Sequence, residues 1–161
     1  ALARALARRL EGRVEIVVQL AARAAEYYRS LPPELRTRET VRNHGLTLAR
    51  YGAALNTQNQ TDEASAVLAD AIGLLEQLRQ EGDNSADTAA GLALALRNQG
   101  TLLSNQQLQQ QSLAVHEKAV AVLRSAAQTS EASRNLRLDL ATAVYELGLQ
   151  HARTAEDGFE R

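Results

Sequence analysis

Gly52, Gly100 and Gly148 lie forty-eight residues apart, twice over, and the residues around each glycine follow one template. Self-similarity at a fixed period marks a repeat array, in which each unit is one supersecondary element stacked on its neighbours, and it argues against a single closed enzyme core. Aligned on the glycines, Leu48, Leu96 and Val144 coincide, as do Leu55, Leu103 and His151. Ala64 falls on Ser112, Leu68 on His116, Ala71 on Ala119 and Leu75 on Leu123.

The template is helical. Leu48, Tyr51, Gly52 and Leu55 fall at i, i+3, i+4 and i+7, and after a polar break Ala64, Val67, Leu68, Ala71, Leu74, Leu75 and Leu78 continue such a stripe. Two amphipathic helices therefore make an antiparallel pair. The break NTQNQTDE supplies turn residues, with Thr61 or Asp62 to cap the second helix. In QEGDNSAD, Gly82 stops that helix and Asn84 or Ser85 caps the next. The spacing predicts helices over 13–31, 38–56, 62–80, 86–105, 112–127 and 131–153 and no strand. The first stops at Pro32-Pro33, and Gly12 either interrupts it or weakens it by about 1 kcal/mol relative to Ala. The last ends near Arg153, and TAEDGFER reads as the next turn plus the start of a further helix.

A glycine at each crossing has a purpose, since helix axes approach to about 8 Å only where one side chain nearly vanishes. Gly52 is expected against Ala64 and Ala71, and Gly100 against Ser112 and Ala119.

The composition, 45% hydrophobic and 23% charged with two prolines, four tyrosines and one phenylalanine, is that of an all-α globular protein. It is too interrupted by charge for a membrane span. A net charge of −1 gives no reason to expect nucleic acid; residues 1–40 carry +3 and 41–161 carry −4, as solvated helix faces do. The absence of cysteine excludes disulfides, thiolate metal sites and cysteine nucleophiles. Seventeen arginines to one lysine, with abundant Ala and Leu, suit a GC-rich bacterial source. The opening ALARALARRL, without methionine, reads as an excerpt from a longer polypeptide, and a cytoplasmic location is expected.

These residues carry a family resemblance. Leu48, Tyr51-Gly52, Leu55, Asp62-Glu63-Ala64, Leu68 and Ala71 match in spacing the signature positions of the tetratricopeptide repeat (TPR), and the pattern continues through Leu96, Gly100, Leu103, Ser112 and Ala119, then Val144 and Leu147-Gly148. The period of forty-eight exceeds that family's thirty-four by two heptads, which lengthens each helix by one heptad while keeping its face nearly in place. The resemblance implies a right-handed superhelical array of antiparallel helix pairs, an α-solenoid. Its parts are an N-terminal helix from a preceding repeat in 1–36, repeats in 37–84 and 85–132, and the first half of a third in 133–161.

The resemblance also places the functional surface on the concave groove of the first helices. Transferring the register puts Ala49, Arg50, Ala53 and Asn56 there, then Arg97, Asn98, Thr101 and Ser104, then Tyr145, Glu146, Leu149 and Arg153. Of the Lys and Asn clamp by which some members grip a terminal carboxylate, only Asn98 corresponds. Arg97, Tyr145 and Arg153 can meet an acidic peptide through cation–π and bidentate contacts, against the plainer reading of a solvated helix face. His44, His116 and His151 align with apolar positions, which suggests core histidines with a local hydrogen bond, or a pH-sensitive seam between repeats. His116 and His151 are expected to be buried.

No metal-ligand spacing, phosphate loop or nucleophile elbow occurs in the sequence, and neither metal nor cofactor is expected. The expected function is a protein–protein interaction scaffold without chemistry of its own, taking a protein or peptide partner or another domain of its own chain. The alternative is an oligomerisation or regulatory arm of a larger signalling enzyme, such as an ATPase, kinase or protease. Association of copies is expected through the exposed end helices, at Tyr27 and Tyr28 or along the 136–151 stripe.

Overall fold

The computed structural model describes the backbone of residues 2–129 and 134–159 and the side chains of 15–128 and 134–155. The described residues form six α-helices and one short 3-10 turn, without strands: α1 (Leu2–Ser30), α2 (Arg38–Thr57), α3 (Thr61–Gln80), α4 (Ala86–Asn105), α5 (Gln109–Thr129) and α6 (Arg134–Phe159). Each helix packs on the next in sequence. In addition α2 lies against α4 and α4 against α6, so the odd and even helices form two layers.

Neighbours run antiparallel. The close approaches of Gly52 to Leu68 and of Gly45 to Leu75 move in opposite directions along α2 and α3. The even helices run parallel, and four polar contacts show their register. Asn98 Nδ2 donates to the Ala49 carbonyl (2.9 Å), Arg97 to Glu146 (2.6 Å), Asn105 to Asn56 (3.4 Å) and Arg153 to the Ser104 hydroxyl (3.0 Å), every pair being 49 residues apart. That separation is one period plus one residue, so each even helix is offset by a single residue from its predecessor.

The local chemistry explains the boundaries. Thr37 caps α2 by accepting from the Thr40 amide (3.2 Å), and Ser85 caps α4 by accepting from the Thr88 amide (3.3 Å). Gly82 takes φ +91° just after α3, the left-handed conformation in which a residue without Cβ is unstrained. Leu48, Leu75, Leu96, Leu123 and Leu136 are buried in one core that joins all six helices. A smaller cluster of Leu55, Ala64, Leu68 and Leu102 closes the end where α2 turns into α3.

Four expectations are corrected. Helix α1 starts at Leu2 and runs through Gly12, eleven residues ahead of the expected start at residue 13. Gln60 is the N-cap residue of α3 and makes no side-chain cap, while Thr61 is already helical. Helix α5 begins three residues early, at Gln109. Lastly, the predicted turn after Arg153 is helix, because α6 continues to Phe159. The turns after α2 and α4 place Asn59 at φ 59° and Gln107 at φ 62°, equivalent positions in the template, whereas the third equivalent is Ala155. Alanine disfavours the left-handed region and is the best helix former, so the chain continues straight.

Candidate functional site

Residues of the even helices α2, α4 and α6 together line a groove of about 360 Å³. Arg42, Asn43, Leu46 and Arg50 come from α2, Leu94 and Arg97 from α4, and Asp139 from α6. Their spacing at i, i+1, i+4 and i+8 keeps the α2 contributors on one side of that helix.

Of the predicted groove residues only Arg50 and Arg97 line this cavity. Arg97 is committed elsewhere, since its Nε and Nη2 each donate to the Glu146 carboxylate at 2.6 Å, a two-pronged pair that spans α4 and α6. These hydrogen bonds raise the Arg97 pKa. Asn98 bonds the Ala49 carbonyl, and Ala49 is wholly buried, so both are structural, and Ala49 lies beneath the surface the register had placed it on. Thr101 bonds the Arg97 carbonyl of its own helix (3.1 Å), Asn56 accepts from Asn105, and Arg153 donates to Ser104, itself buried beside Gln150. Tyr145 is 67% exposed. Arg97, Tyr145 and Arg153 are thus not three free side chains, because two of them hold α6 to α4.

The groove is electrically mixed. Arg42 pairs with Asp83 (3.8 Å) and Asp87 (3.5 Å) at its rim. Asp83 is buried and accepts from the Ser85 amide (3.0 Å) and the Thr88 hydroxyl (2.8 Å), and hydrogen bonding led by Ser85 holds its carboxyl down at about 2. Arg50 is exposed and has no ion pair among the described residues, which leaves its guanidinium available over the half-buried Leu46 and Leu94.

The histidines separate into three environments. His116 is 1% exposed, and neither ring nitrogen has a hydrogen-bond partner; burial lowers its pKa, against the opposing pull of Glu146, whose carboxylate is 4.0 Å from Nδ1. His44 is half-buried and stacks on Tyr28 with ring centroids 5.7 Å apart; burial and then Arg29 lower its pKa. The local hydrogen bond expected of such histidines is absent at His116. His151 contradicts the expected burial: its side chain is 57% exposed, at the edge of α6 where Nε2 lies 4.0 Å from the exposed Glu117 carboxylate of α5.

The glycine crossings are also corrected in detail. A Cβ at Gly52 would lie 2.5 Å from Leu68 Cγ, and one at Gly100 would lie 2.5 Å from His116 Nε2. The closest knobs are thus Leu68 and His116, with Ala64 and Ser112 alongside; Ser112 Oγ donates to the Gly100 carbonyl (2.8 Å). A Cβ at Gly148 would meet nothing within 4 Å beyond its own helix backbone.

Among the described residues no group of three potential ligands could hold a metal ion, and no helix is long and apolar enough to cross a membrane. Comparison with known proteins yields no match to a protein-family model, to a curated protein or to a solved structure.

Proposed function

We propose that the chain is a protein interaction module, a TPR-like right-handed array in an extended-helix form, which holds a peptide of its partner along the even-helix face. One observation carries this reading: a groove of about 360 Å³ receives side chains from three successive even helices. An amphipathic peptide would rest apolar side chains on Leu46 and Leu94 and offer a carboxylate to Arg50, in the bidentate geometry that guanidinium favours. Selection from a displayed random-peptide library, followed by calorimetry, tests it. The expected ligands combine Asp or Glu with Leu, Ile or Phe, and Arg50→Glu weakens them by roughly tenfold or more. Binders that ignore Arg50→Glu, or a library that yields none, would reject the groove.

The second reading, an oligomerisation or regulatory arm of a larger signalling enzyme, draws support from a different observation. Both outer faces of the array carry exposed apolar side chains, Ile16, Val17, Leu20 and Tyr27 on α1 and Leu138, Val144, Tyr145 and Leu149 on α6.

A further inference from the structure

We propose that α1 of one copy docks on α6 of a second copy and forms with it, in trans, a helix pair of the kind that α3 makes with α2, so that the chain assembles head to tail.

The repeat register identifies the two faces as halves of one joint. Within the array, α3 lays Ala64, Leu68, Ala71 and Leu75 on α2, and α5 lays Ser112, His116, Ala119 and Leu123 on α4, with Leu68 over Gly52 and His116 over Gly100. One period before Leu68 stands Leu20, and one period after Gly100 stands Gly148. Leu20 is 62% exposed, with Ile16 and Tyr27 of the same stripe exposed at 57% and 61%, although their template equivalents on α3 are buried. The surface at Gly148 is correspondingly open. Leu20 therefore has the residue type and register of the knob in the α2–α3 crossing, and Gly148 has those of the hole. Ile16 is bulkier than Ala64, and Ala141 stands where α2 has Gly45, so the trans crossing centres on Leu20 and Gly148 with wider flanks.

A second observation favours an occupant from another molecule. Inside the array each even helix ends in a turn that folds the chain back onto its own face, after Thr57 and after Asn105. At the third equivalent, Arg153, there is no such turn and α6 runs on to Phe159. Helix α1 likewise starts eleven residues before Arg13, the equivalent of the α3 start at Thr61. In an antiparallel α6–α1 pair these two extensions lie side by side, in the space that the turn fills elsewhere. Because the contacting patches differ, the interface is heterologous, and copies add into open chains or closed rings.

The inference is independent of the groove on the even helices. It is tested by sedimentation velocity and light scattering on the 161-residue chain and two variants. Leu20→Glu places a charge on the knob, and Gly148→Leu fills the hole at a site where a Cβ meets nothing within the monomer. The wild-type chain is expected to show concentration-dependent association beyond a dimer. Each variant alone should be a folded monomer by circular dichroism, with association reduced roughly tenfold or more. An equimolar mixture should form a one-to-one dimer, since one intact α1 face and one intact α6 face remain. A wild-type chain that stays monomeric at every concentration overturns the proposal and leaves both faces to helices of a longer polypeptide. A variant that still dimerises by itself, or a mixture that does not, overturns the pairing of α1 with α6.

Discussion

Gly100 and His116 meet so closely that a single added carbon would lie 2.5 Å from the imidazole Nε2. The ring is held in a buried slot between α4 and α5, with the Ser112 hydroxyl bonded to the Gly100 carbonyl beside it. A methyl at 100 must displace a ring that is only 1% exposed. Gly100→Ala is expected to cost about 1–3 kcal/mol through overpacking. Gly148→Ala, at the same template position with open space around it, is expected to gain up to about 1 kcal/mol from helix propensity alone. Urea melts of both variants check the contrast; equal effects of the same sign would refute the assigned crossing.

His116 also predicts a pH response. Its folded-state pKa is lowered by burial, so the unfolded chain takes up a proton more readily. The neutral ring's contribution is complete above the ordinary histidine value of about 6.5, and stability falls as the pH drops below it. The groups facing the ring act in opposite directions, Glu146 raising and Arg97 lowering the pKa. His116→Leu, which copies Leu68 over Gly52, removes two unsatisfied nitrogens and should flatten the loss between pH 7 and pH 5. His44, lowered in the same direction, retains its own share. Thermal melts across that interval measure the difference, and parallel curves for the two proteins would count against it.

Asp83 works at lower pH. Its folded value of about 2 lies below the unfolded 3.8, so its contribution is present above about pH 4 and is lost as the pH falls toward 2. Asp83→Asn keeps one acceptor for Ser85 or Thr88 but gives up the charge, and should cost about 2 kcal/mol at pH 7. Wild type and variant should converge near pH 2 in acid-unfolding profiles, whereas an undiminished gap there would show that the charge is not the cause.

Arg97→Ala should loosen α6 from α4, because it removes two 2.6 Å bonds and leaves the Glu146 carboxylate partly buried. The expected loss is about 2 kcal/mol. Arg97→Lys can keep the charge but not the fork, and should recover only part of it. Hydrogen exchange should localise the change to α6; a uniform change along the chain would contradict the assignment.

The sequence placed the helices well because apolar periodicity and cap residues act locally. The interval 86–105 coincides with α4, between Ser85 and the polar turn, and 38–56 differs from α2 by one residue. Periodicity shows which face is buried but not which side chain stands over a given glycine. Helical side chains lean toward their own N-terminus, which places Leu68 and His116, instead of Ala71 and Ala119, against Gly52 and Gly100. His151 was misplaced because its alignment with Leu55 and Leu103 assumes a covering helix, and exposure there depends on what lies across the gap. The straight run of α6 is legible in Ala155, which stands where Asn59 and Gln107 turn the chain. The candidate groove was only half legible. Arg50 and Arg97 fall in it, but the partners that occupy Arg97, Asn98 and Arg153 come from the next or previous even helix, 49 residues away.

That constant separation bears on how such a chain can change in length. Four of the contacts along the even helices differ in chemistry, an amide on a carbonyl, a guanidinium on a carboxylate, an amide on an amide and a guanidinium on a hydroxyl, yet they share one offset. Geometry is common to the seam while residue identity is free to drift at each rung. Loss or duplication of forty-eight residues preserves every remaining rung, whereas an insertion of one or two residues within a helix rotates everything beyond it by about 100° or 200° and breaks the seam. Growth and shrinkage in whole units are thus the changes in length that this architecture tolerates, and point substitution supplies the variety on its surface.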